Sequence, residues 1–108
     1  MAARINEMLD DATISARLSD LPGWIRSDHG KAIARSFRFP DFATAFAFMT
    51  RVALAAEKAD HHPEWSNVWN RVDIRLTTHD AGGITQRDLD LAARIHAIAS
   101  NQSQPNQP

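Results

Sequence analysis

The sequence predicts an α+β domain: a four-stranded antiparallel sheet with helices packed on one face, in the order α-β-β-α-β-β-α. Three observations lead there. Two stretches alternate apolar and polar residues with a period of two, and each is half of a strand pair joined by a short loop. Three stretches repeat apolar residues at helical spacing. The strand pairs and the helices alternate along the chain, and short loops between paired strands favour antiparallel neighbours over crossovers.

The elements follow in order. "LDDATISARLSDLPGW" begins with capping residues and carries Ile14, Leu18 and Leu21 at helical spacing, so a helix is expected over about 12–20 before Pro22 and Gly23 stop it. "WIRS", the turn-like "DHGK" and "AIARSFRF" read as a hairpin; Ile33, Phe37 and Phe39 share one parity, and Arg35 interrupts it. Pro40 in a first turn and Asp41 beside it open a helix over 41–59. Phe42, Phe46, Met49, Ala53 and Ala56 make one stripe there, which Phe48, Val52 and Ala55 widen. Such a helix has more apolar surface than one sheet face needs, and is expected to meet a second helix or another subunit. It should end near His61, because a residue before proline is disfavoured in the α region. "SNVWN" and "VDIRLTT" are the second strand pair; Val72, Ile74 and Leu76 alternate with Arg71, Asp73 and Arg75. Thr85 and Asp88, three apart, form a capping box that opens the last helix, through Leu89 to Ile98. Residues 1–100 are expected to make one domain, and the polar, proline-bearing 101–108 a disordered tail.

Composition narrows the function. The 108 residues are 44% hydrophobic and 23% charged with a formal net charge of −1, an ordinary balance that offers no electrostatic case for nucleic acid or an anionic membrane. Without cysteine there is no disulfide, thiolate nucleophile, zinc ribbon or iron–sulfur cluster. The most apolar run, about 42–56, is broken by Thr44, Thr50 and Arg51, so it is not a transmembrane segment, and the first fifteen residues lack the apolar core of a signal peptide. A soluble, cytoplasmic protein is the expectation.

Chemistry concentrates in "EKADHHPEWSNVW" and the later "TTHD". His29, in the hairpin turn, and His96, on the last helix, read as structural or surface residues. His61 and His62 differ because Glu57, Asp60 and Pro63 share their corner, while His79 follows a strand at a Gly82-Gly83 turn, where functional side chains often project. Imidazoles and carboxylates can ligate zinc or iron. However, adjacent side chains diverge, and no H-E-x-x-H or H-x-H spacing is present to converge two rings. Acid/base work suits the set better, since an unperturbed pKa of about 6.5 lets histidine give and take protons near neutrality.

Glu57, His61, His62, Pro63, Trp69, His79 and Asp88 together resemble the signature of the pterin-4a-carbinolamine dehydratases, and "VALAAEKADHHPEW", "VDIRLTTHDAGGIT" and "RDLDLAARI" are similar to that family throughout. The similarity covers about residues 12–98. It implies removal of water from a 4a-hydroxytetrahydropterin to give the quinonoid dihydropterin, with no metal and no organic cofactor. By position, His61, His62 and His79 would be catalytic, with His62 and His79 the main proton carriers and Glu57, Asp60 and His61 orienting rings and substrate. Asp60, Thr77, Thr78 and Asp80 would meet the pterin edge, and Arg87 is a further candidate. Trp24 would cover the bicyclic ring or belong to the core; Trp65 and Trp69 read as core and interface, and Asp88 rather as a helix cap. The family also implies a homodimer or homotetramer and a pathway shared with an aromatic amino acid hydroxylase. The alternative is a protein-binding or regulatory module, a dimerisation cofactor or hydroxylase modulator, working through the apolar central helix.

Overall fold

The computed structural model describes residues 5–102. Four antiparallel strands form one sheet in the order β1-β2-β4-β3: β1 Ile25–Ser27, β2 Ala32–Arg38, β3 Glu64–Val68 and β4 Arg71–Leu76. Three α-helices interleave with them, α1 Asp11–Leu18, α2 Phe42–Ala59 and α3 Gln86–Gln102, and His79–Ala81 make a single 3-10 turn after β4. The element order is therefore the expected one.

The register explains the core. Ile33 lies opposite Leu76, Arg35 opposite Ile74 and Phe37 opposite Val72, so these side chains share one sheet face. Ile14 of α1, Phe48 and Val52 of α2, and Leu89 and Ile95 of α3 close over that face in one cluster. Trp24, Phe37, Phe39 and Phe48 form its aromatic centre, with Phe48 5.0 Å from Phe37 and 4.8 Å from Phe39 between ring centroids. Arg35, which breaks the apolar alternation, stays on the same face by laying its guanidinium 4.3 Å over the Phe37 ring and donating to His96 Nδ1. Desolvation there lowers the Arg35 pKa. The other face is polar and laced across strands by Ser36–Asp73 and Arg75–Glu64 bonds.

Several boundaries differ from the sequence reading, each for a local reason. Asp41 is the N-cap of α2, its carboxylate accepting from the Thr44 amide at 2.7 Å, so Pro40 precedes the helix instead of sitting in its first turn. The core-facing stripe of α2 is Ala45, Phe48, Val52 and Ala56, whereas Phe42 and Phe46 remain 48% and 53% exposed. α2 stops at Asp60, three residues before Pro63: Asp60 takes a left-handed conformation (φ 53°) and the His61 amide donates back to the Ala56 carbonyl. Trp69 and Asn70 belong to the β3–β4 turn, with Trp69 at φ 51°, so "SNVWN" is only partly strand. Thr77 and Thr78 lie beyond β4, which ends at Leu76. Trp24 precedes β1 and is core. α3 runs on to Gln102, two residues into the expected tail; 103–108 lie outside the described residues. No helix among the described residues is long and apolar enough to cross a membrane.

Candidate active site

The left-handed turn at Asp60 and the corner after β4 meet at one end of the sheet. His61 and His62 come from the first and His79 from the second, and all three line one open cleft of about 660 Å³ with Asp60, Thr77, Thr78, Asp80, Arg87 and Asn6. Eight of the ten residues that the sequence nominated therefore converge. Glu57 is not on the cleft wall, but its carboxylate holds His62. Trp24, only 4% exposed and edge-on to Phe37, packs in the core away from the cleft wall.

Each imidazole has a carboxylate of its own, and always on Nε2: His61 with Asp88 at 2.6 Å, His62 with Glu57 at 2.9 Å, His79 with Glu64 at 2.7 Å. An ionised carboxylate only accepts, so each Nε2 carries the donated proton and Nδ1 is the nitrogen left for other chemistry. The three pairs differ in setting. Asp88 is wholly buried and accepts, besides His61, the Thr85 amide at 2.9 Å and the Thr78 hydroxyl at 2.8 Å. Thr85 Oγ1 in turn bonds Thr78 Oγ1 and accepts from the Arg87 amide, so this buried polar knot is fully partnered. One arm of the expected capping box is present, the Thr85 amide donating to the Asp88 carboxylate, while the Thr85 hydroxyl accepts from the Arg87 amide instead of that of Asp88; the same carboxylate also aims His61. Glu57 and Glu64, by contrast, stand in solvent with their histidines.

Glu64 was not among the residues singled out, although it follows Pro63 directly. Only the β3–β4 register, which sets Glu64 opposite Arg75 one strand-end from His79, brings it to the site. Its other oxygen accepts from Arg75, whose second nitrogen donates to Asp28 in the β1–β2 turn. The bond to His79 first, and then the Arg75 charge, holds the Glu64 carboxyl below the usual carboxylate range. Asn6 is the other addition: it accepts from Arg87 Nε at 2.8 Å, while Arg87 Nη1 caps the Asp60 carbonyl at the end of α2. Thr77 spends its proton on the Lys31 carbonyl, leaving its oxygen as an acceptor. Among the described residues, no group of three or more His, Asp or Glu side chains converges so as to hold a metal ion.

Comparison with known proteins gives this geometry a family. The model of the pterin 4 alpha carbinolamine dehydratase family matches residues 7–98. A protein of Rhizorhabdus wittichii, provisionally named pterin-4-alpha-carbinolamine dehydratase, is 63% identical over 93 residues, 86% of this chain and 96% of its own length. One of Rhodopseudomonas palustris with the same provisional name is 57% identical over 95 residues, 88% of this chain and 94% of its own. Among solved structures, a transcriptional coactivator/pterin dehydratase from Brucella Melitensis superposes with a TM-score of 0.83 at 48% identity, covering 86% of this chain and 99% of that one. A pterin dehydratase-like RuBisCO assembly factor of the alpha-carboxysome shares the fold alone, at 24% identity and a TM-score of 0.62 over 71% of this chain and 89% of that one. On a family model that spans nearly the whole described domain and relatives that align over almost their full length, the chain belongs to the pterin-4-alpha-carbinolamine dehydratases, a family of hydro-lyases.

Proposed function

We propose that the cleft removes water from a 4a-hydroxytetrahydropterin by histidine acid/base catalysis, giving the quinonoid dihydropterin in tetrahydropterin recycling after an aromatic amino acid hydroxylase. The observation that carries this is the convergence of three carboxylate-held imidazoles on one open cleft whose remaining wall is hydroxyl and carboxylate. An imidazolium donates a proton to the C4a hydroxyl, the C4a–O bond breaks and water leaves; a neutral imidazole takes the N5 proton as the C4a–N5 double bond forms. Each proton given is matched by one collected, so the enzyme returns to its starting charge without metal or organic cofactor.

His62 and His79 are the proton carriers in this scheme, since their rings are 57% and 77% exposed and can meet substrate and solvent. Glu57 orients His62 and Glu64 orients His79, keeping Nδ1 toward the reaction. His61, 11% exposed and fixed by Asp88, is the rigid wall that positions the pterin. Thr77, Thr78, Asp60 and Asp80 offer hydrogen bonds to the amide–amidine edge, with Arg87 behind them. A direct assay of carbinolamine decay with purified protein tests the reading; unaccelerated decay at micromolar enzyme would sink it.

The outer face of α2 supports assembly into a homodimer or homotetramer: Phe42 and Phe46 pack 5.7 Å apart with their rings tilted by 41°, both are exposed, and Leu54 is 69% exposed. The same face is what a regulatory protein partner would use. Sedimentation of the purified chain separates the two, because a self-associating face needs no other protein.

A further inference from the structure

We propose that the pterin this site takes carries an anionic group on its C6 substituent, seated in a groove that opens off the cleft between α2 and α3. This rests on the dehydratase reading and extends it to the part of the substrate that does not react. The groove has a volume of about 310 Å³ and shares His61 and Arg87 with the cleft, so one ligand can occupy both. Its apolar lining is Ile5, Ala55, Ala59 and Leu91, and the small alanines on the α2 side leave room for a chain of atoms.

Charge gives the groove its character. Lys58 and Arg94 flank it, and neither has a hydrogen bond or ion pair among the described residues. Arg87 spends its donors on neutral acceptors, the Asn6 side chain and the Ala59 and Asp60 carbonyls, so its charge is uncompensated as well. The carboxylate on this wall, Asp90, is held by Arg17 at 3.1 Å. Three cations thus border one groove in a chain whose net charge is −1. Lys58 alone could be explained by the negative end of α2, but that leaves Arg94, well inside α3, unaccounted for. Converging unpaired cations over a low-dielectric wall raise the local concentration of anions. Beyond Lys58 and Arg94 a second hollow of about 460 Å³ continues the groove toward Arg51 and Asn101, so a substituent longer than a single phosphate fits. The chemistry called for is a short apolar or aromatic linker ending in a phosphate ester or a carboxylate.

Equilibrium titration with stable oxidised pterins tests this without relying on turnover. The probes are 6-hydroxymethylpterin, its diphosphate ester and pteroylglutamate, each titrated against the full chain and against the Lys58→Gln/Arg94→Gln variant. The expected result is that at least one anionic probe binds about 10- to 100-fold more tightly than 6-hydroxymethylpterin, the scale of one or two charge-assisted hydrogen bonds. That preference should shrink with added salt and vanish in the double variant, which keeps its melting temperature and its affinity for the neutral probe. Diphosphate or glutamate preference would then name the source of the anion. Equal affinity for all three probes overturns the proposal, as does a preference that survives in the double variant. Turnover of a neutral carbinolamine with no anion preference would remove the groove and leave the dehydratase; anion preference without any turnover would do the reverse.

Discussion

His61 and His79 carry the same side chain, the same Nε2–carboxylate bond and the same cleft, yet they sit in opposite surroundings. His61 is 11% exposed and tied to a carboxylate that is itself fully buried and bonded to two threonines; His79 is 77% exposed and tied to a carboxylate in solvent. A ring whose partner is part of the helix cap cannot turn without opening that cap, so His61 is held in one orientation. A ring held by a surface glutamate can exchange protons with water and substrate at little cost. In the proposed mechanism it is the burial of the partner, more than the histidine, that divides the labour.

The largest effect should come from the exposed pair. His62→Ala and His79→Ala should each slow carbinolamine dehydration by about 10²-fold or more while the thermal melt stays put; normal turnover in the folded double variant would mean the exposed rings are not the proton carriers. Next comes Asp88→Ala, which should cost about 3 kcal/mol or more of stability, because it strips a buried knot of its acceptor and leaves His61, Thr78 and the Thr85 amide unpaired. Chemical denaturation measures it, and a loss below about 1 kcal/mol would return Asp88 to an ordinary cap.

Glu64→Gln should act more on rate than on stability, lowering turnover on the order of tenfold, the equivalent of one charge-assisted bond. It also has a pH signature. The folded-state pKa of Glu64 is depressed, so its contribution is fully present above the ordinary 4.5 and is lost as pH falls through the lowered folded value. The variant should therefore shed part of the wild-type acid sensitivity below that pH; identical acid-denaturation curves would break the link. The smallest stability effect belongs to the outer face of α2, and the inner face is its control. Phe46→Ala should change unfolding free energy by less than about 0.5 kcal/mol but shift the sedimentation coefficient, whereas Phe48→Ala, at the aromatic centre, should cost about 3–5 kcal/mol.

Local signals made most of the fold legible. Alternation along β4 and the Thr85–Asp88 spacing state their own geometry within a few residues, and both the alternation and the bond from the Thr85 amide to Asp88 are present. The stop of α2 was placed correctly but for the wrong cause: proline bias suggested it, while the left-handed Asp60 and the His61–Ala56 bond make it. The stripe on α2 was ambiguous because a helix apolar on two sides does not say which side meets the sheet.

By itself the sequence determined the element order, the Thr85–Asp88 start of α3, the three histidines and the family signature, because each is written in short-range spacing or residue type. Tertiary structure alone decided which carboxylate serves which ring. Glu64 reaches His79 through strand register and Asp88 reaches His61 across 27 positions of chain. The first depends on how β3 pairs with β4 and the second on the packing of α3 against the end of α2, and no short window of sequence contains either.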